Sequence, residues 1–128
     1  MDRISFTYNW NNKLAGKAFT TIRLKNSKYR IGESYEICLK KGKMGFAFLF
    51  YATIIDIRDI KLSGITEFIA LLDTGYSAVE CKEIVQKIYS KSHLNWETQL
   101  LSFILLKKNE RLVQKSPLET LVLTGEQL

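Results

Sequence analysis

The stretch GFAFLFYATIIDIR, residues 45–58, limits the fold more than any other part of the chain. It is dense in aromatic and β-branched residues, which favour a pleated, extended backbone. It is also far short of the roughly 20 apolar residues that a membrane-spanning helix needs. At its start the apolar residues do not alternate with polar ones, so both faces of the strand need cover. A strand of that kind belongs in the middle of a sheet. With 128 residues the chain has material for one core, and we expect a single domain over 1–128.

The flanking segments read as partners for this strand. Ile4, Phe6, Tyr8 and Trp10 alternate with polar residues and predict a first strand, ended by the asparagines at 9, 11 and 12. Ala18 to Leu24 predicts a second strand. Tyr35, Ile37 and Leu39 alternate with Ser34, Glu36 and Cys38 in a third, entered through Ile31-Gly32-Glu33. Lys40-Lys41-Gly42-Lys43 makes a hairpin connection to the long strand. After Asp59 the period changes from two to 3.6. Ile65, Phe68, Ile69 and Leu72 predict one apolar helical face with Ser63 as its cap. Ser77 and Glu80 form a capping box for a second helix that shows Cys81, Ile84, Val85 and Ile88 on one face. Strand character returns from Trp96 to Lys107. The end, from Asn109, predicts either a last strand or a tail. The expected fold is α+β: a small, mostly antiparallel barrel with two helices packed on it.

Charge narrows the partners without choosing one. Nineteen Lys and Arg against thirteen Asp and Glu give a net charge of +6 and a pI near 9.3. That balance suits an anionic partner such as RNA or a nucleotide, and it suits plain solubility equally well. Cys38 and Cys81 lie far apart, and His93 is the only histidine, so neither a disulfide framework nor a metal-binding spacing is expected. The N-terminal MDRISFTYNW carries an early acid and no long apolar core, and no signal peptide or membrane span is expected. A soluble, cytoplasmic protein without a cofactor is the expectation.

One motif carries chemistry. GKAFTTIR, residues 16–23, sets Gly16, Lys17, Thr21 and Arg23 along the second strand. It resembles the signature of the ASCH domain, a compact barrel of the PUA-like group, which runs G-x-K-x-x-E-x-R. Gly16 and Arg23 occupy the outer positions, Ala18 stands at the lysine position with Lys17 one residue before it, and Thr21 stands at the glutamate position. Leu14-Ala15-Gly16-Lys17 and Thr21-Ile22-Arg23 resemble a small bacterial branch of amidohydrolases acting on acetylated cytidine. Ile31-Gly32-Glu33-Ser34, Ile65-Thr66-Glu67 and Asp73-Thr74-Gly75-Tyr76-Ser77 follow in the family's order, so the resemblance spans about 14–107.

The resemblance implies a cleft floored by the GKAFTTIR strand that binds RNA, a nucleotide or a nucleoside. Arg23 and Lys17 would meet a phosphate or base edge, with Trp10, Tyr76 and Trp96 as stacking faces. Lys40, Lys41 and Lys43 would add phosphate attraction that ignores sequence. The amidohydrolase branch implies a catalytic set of Lys17, Thr21 and Asp73, in which a desolvated lysine activates the threonine or a water. A protein–protein adaptor that keeps the barrel without the site is a third reading. On composition alone, Arg23 reads equally as an ion-pair partner, Thr21 as an ordinary strand residue and Asp73 as a helix stop.

Overall fold

A computed structural model describes residues 1–110. Five strands, β1 (Arg3–Phe6), β2 (Ala18–Leu24), β3 (Ser34–Lys40), β4 (Phe46–Ile60) and β5 (Leu101–Lys108), form one sheet in the order β1-β3-β4-β5-β2. β4 is the central strand of the order, but the apolar run at its start is not covered on both faces as expected: residues 46–51 pair with β3 alone, β5 joins only from Ala52, and Phe46, Phe48, Leu49 and Tyr51 stay exposed. Three of the four pairings are antiparallel and β1 alone runs parallel to β3. Two helices, α1 (Glu67–Asp73) and α2 (Ala78–Ile88), fill the connection between β4 and β5. The class is therefore α+β, with a mixed sheet.

The sheet curls into half a barrel, which brings its two edge strands across from each other. Arg23 on β2 donates from Nη2 to the Ser5 carbonyl on β1 at 2.7 Å. Phe6 and Phe19 meet edge to face with ring centroids 6.1 Å apart. Irregularities in register at Ile37/Cys38 and Ile54/Asp56 accompany this curl, since bulges sharpen the local twist. The concave side holds one core, with Ile4, Phe6, Phe19, Tyr35, Ile37, Ile54, Ile104 and Leu106 buried together. Tyr35 lies within it because its hydroxyl has partners: it donates to the Lys28 carbonyl at 2.6 Å and accepts from the Arg30 amide at 2.9 Å. The second core lies on the convex side, where Ile22 and Leu101 pack under Ile65, Ala70, Cys81 and Val85.

Local structure departs from the sequence reading at four places. β1 ends at Phe6, and Trp10 opens a pair of 3-10 turns (Trp10–Ala15) that kink where Asn11 and Asn12 take φ of 57° and 50°. Asparagine tolerates that region better than most residues, so the three-asparagine cluster makes a compact turn instead of a strand end. β5 begins at Leu101, after a turn in which the Asn95 carbonyl and side chain take up the following amides. The cap of α1 is Thr66, whose Oγ1 accepts from the Ile69 amide at 3.2 Å, while Ser63 belongs to a separate 3-10 turn. Of the expected α1 stripe, Ile65 is buried and Ile69 packs against the same core, whereas Phe68 is 75% exposed and Leu72 48%; the buried residues of the helix are Ala70 and Asp73. Ser77 caps α2 as expected, its Oγ accepting from the Glu80 amide at 3.2 Å, while the Glu80 carboxylate reaches back to the Ser77 hydroxyl, from which it accepts at 3.0 Å, and not to the Ser77 amide. The expected last strand or tail beyond residue 110 lies outside the described residues.

Candidate functional site

The two edges of the half-barrel leave a seam, and α1 and α2 close one end of it. A cavity of about 120 Å³ opens there, among the end of β1, the second half of β2, the 3-10 turns and α2. Strand alternation decides what faces it. Phe19, Thr21 and Arg23 share the concave face of β2, while Thr20 and Ile22 face the helices.

Arg23 is held on three sides. Its Nε donates to Thr21 Oγ1 at 3.1 Å, its Nη2 reaches the Ser5 carbonyl, and its Cζ lies 4.7 Å from the centre of the Phe6 ring. No carboxylate among the described residues comes within ion-pair distance of it. The bond to Thr21 uses the hydroxyl as an acceptor and leaves its proton free to donate. Tyr89 lines the cavity from the end of α2. Burial pushes its phenol up, and the Arg23 charge pulls it back.

Beside this pair lies an ion pair that the sequence reading does not contain. Lys13 Nζ donates to Asp73 Oδ1 at 3.0 Å, and both side chains are only 6% exposed. Thr20 Oγ1 donates to the same carboxylate oxygen at 2.8 Å. Burial holds the Lys13 amine below its ordinary value of 10.5, against the Asp73 charge and hydrogen bond that favour the charged form; Arg23 pushes it further down. The 3-10 turns aim Lys13 inward. Asn9 Oδ1 accepts from the Leu14 amide at 3.0 Å, and Leu14 itself is buried under the turn. Gly75, at φ 79°, lets the turn after α1 approach Asn11, where a Cβ would come within 3.1 Å of that side chain.

The structure thus brings together Thr21, Arg23, Asp73 and Trp10 of the residues singled out in the sequence, and all four line the cavity. Tyr76 stands just behind, with its ring centroid 6.0 Å from that of Trp10. Lys17 is a correction. It is exposed at the entrance of β2, where its carbonyl accepts from the Lys108 amide at 2.8 Å. Four strand residues, about 13 Å, separate it from Thr21, and the cavity is at the other end of the strand. The amine beside Asp73 is that of Lys13. Trp96 lies apart from the seam cavity: it is half-buried, packs against the core that holds Ile65 and Leu101, and lines a separate cavity with Leu62 and Lys82. The only sequence signal for Lys13 is its position: it is the one cation in the asparagine turn that leads into β2. Among the described residues no three His, Cys, Asp or Glu side chains gather as metal ligands, and no helix is long and apolar enough to cross a membrane.

Compared with family models, with curated proteins and with solved structures, the chain matches none.

Proposed function

We propose that this chain is a PUA-like domain of the ASCH type whose seam cavity binds a nucleoside or nucleotide, free or at the end of an RNA. The observation that carries this reading is Arg23, a half-buried cation already oriented by Thr21 and Ser5 and not neutralised by any described carboxylate. Asp73 balances Lys13, so the cavity retains one positive charge for a ligand. A fixed guanidinium offers paired N–H donors to a phosphate or to a base edge. The cavity, at about 120 Å³, is well below the range usual for drug-sized ligands, and it suits one ring or one phosphate at a time. Trp10 and Tyr89 supply aromatic surface at its rim. Two buried free thiols, Cys38 and Cys81, fit a reducing, cytoplasmic setting.

Calorimetric titration with cytidine, cytidine 5′-monophosphate and uridine 5′-monophosphate tests the reading. Saturable binding, weakened at least tenfold by Arg23→Ala, supports it; wild-type affinity in that variant would remove its basis.

A second reading, hydrolysis of an acylated amine on such a nucleoside, has its own observation in Lys13. An amine whose proton affinity is lowered by burial gives up its proton more readily than a solvated lysine and can then serve as a base. In that step neutral Lys13 removes a proton from water, the oxygen adds to the acyl carbon, and Arg23 faces the developing oxyanion. The C–N bond then breaks, and the proton passes from Lys13 to the leaving amine. Thr21 positions the water, and Asp73 positions Lys13. Acetylated cytidine is the probe: release of cytidine and acetate that disappears in Lys13→Met supports hydrolysis, and binding without release leaves the binding reading alone.

A further inference from the structure

The outer face of the β3–β4 hairpin carries a surface that the seam cavity does not use. The register places Lys40 opposite Phe46 and Cys38 opposite Phe48, so both rings point to the convex side. The irregularity after Phe48 brings Tyr51, opposite Glu36, onto the same side. Phe46, Phe48 and Tyr51 are 46%, 52% and 45% exposed, and Met44 at the tip is 91% exposed. Phe48 and Tyr51 lie together, with centroids 4.9 Å apart. Three large rings laid open in a row on a sheet are more than scattered surface apolar residues.

Charge indicates what covers them. From Ile37 to Ile55 the chain has Lys40, Lys41 and Lys43 and no acidic residue. Glu36, the nearest acid on this face, already faces Arg3 at 3.6 Å. Beyond Tyr51 the row continues as hydrogen-bonding groups: Ser34 and Thr53 hydroxyls lie 2.9 Å apart, and Thr53 donates to Asn109 Oδ1 at 2.7 Å. A bilayer would strand that polar end of the row without water. Nucleobases need all three elements: ring faces to stack on, amide and hydroxyl groups for their edges, and lysines for the phosphates.

We propose that this face binds single-stranded nucleic acid, with bases stacked on Phe46, Phe48 and Tyr51 and the backbone tracked by Lys40, Lys41 and Lys43. Stacking on side chains requires unpaired bases, so a duplex does not fit. The proposal is independent of the seam cavity, none of whose lining residues lies on the hairpin.

The test is fluorescence anisotropy of a labelled ten-nucleotide oligouridine with the full chain at 50 and 200 mM salt. Three phosphate contacts on a single strand predict a log–log salt slope of about −2, hence about a 20-fold weakening over that range. Phe48→Ala and Tyr51→Ala each weaken binding by at least about fivefold. Replacing Lys40, Lys41 and Lys43 together by Gln, which touches no core residue, flattens the salt dependence. Cytidine monophosphate binding at the seam stays at its wild-type value in these variants, so the two sites are read separately. Wild-type oligonucleotide affinity in the ring variants overturns the proposal. So does an absence of binding coupled to capture by phosphatidylserine vesicles, or to self-association that Phe48→Ala abolishes.

Discussion

Removing the charge of Lys13 should cost the fold more than any surface substitution, and restoring neutrality at Asp73 should return most of it. The two side chains meet at 3.0 Å with 6% exposure each, so water shares little of their charge. Breaking a buried pair by deleting one partner typically costs about 3–5 kcal/mol, because the remaining charge keeps its desolvation cost without its counter-ion. For Lys13→Met the lower end applies, about 3 kcal/mol, since Thr20 still donates to the carboxylate at 2.8 Å. At this chain length that corresponds to a fall in Tm of roughly 10 °C. Lys13→Met with Asp73→Asn removes both charges and leaves Thr20 an acceptor in the amide oxygen. The double variant should then lie within about 1 kcal/mol of the wild type, giving a coupling energy of 2 kcal/mol or more. Urea unfolding of the four proteins, with matched m-values, measures the cycle. Additive costs, or a loss below about 1 kcal/mol for Lys13→Met, would refute the reasoning that the pair is buried and mutually dependent.

Other consequences are cheaper to check. Gly75→Ala places a Cβ 3.1 Å from Asn11 at a φ of 79°, so it should destabilise by about 1–3 kcal/mol and loosen the turn that carries Lys13. Thermal unfolding together with amide exchange at Asn11–Leu14 would register both effects. The Lys13 amine should titrate below 10.5 in the folded protein, followed by NMR of its side chain, and lower still in Asp73→Asn, which removes the two largest of the influences that favour its charge. The sign for stability follows: between the folded and unfolded values the unfolded chain holds the extra proton, so Lys13's contribution to stability rises with pH in that window. The buried Cys81 thiol, pushed up chiefly by burial, should resist a maleimide at pH 8 until the chain is unfolded.

Patterns that depend on near neighbours were legible in the sequence, and those that depend on distant ones were not. β4 does take the centre of the strand order, although its apolar start lies exposed on the hairpin instead of covered on both faces, and alternation in β3 assigned its faces correctly. Ser77 and Glu80 announced the start of α2 because a capping box is complete within four residues. Thr21, Arg23, Asp73 and Trp10 were singled out and converge on one cavity. Lys13 escaped because nothing within its own turn distinguishes it from a solvated lysine; its burial is set by an aspartate 60 positions away. The same contact explains why only half of the expected α1 stripe, Ile65 and Ile69, meets the core. Ile65, Phe68, Ile69 and Leu72 have the spacing of a core stripe, yet Asp73 is tied inward by Lys13 and Thr20. A seven-residue helix cannot bury both sides, so Phe68 and Leu72 turn to solvent. Lys17 failed for a simpler reason, since shared strand parity says nothing about distance along the strand.

We propose that the seam between β1 and β2 receives a nucleobase-bearing anion. Methyl and side-chain NMR of the protein during titration with cytidine 5′-monophosphate tests it most directly. Saturable shifts at Thr21, the Arg23 Nε, Ile84, Ile88 and the Trp10 indole, with none at Trp96 or Lys17, are the predicted result. An unperturbed Arg23 at saturating ligand, or shifts confined to residues outside that cavity, would contradict it.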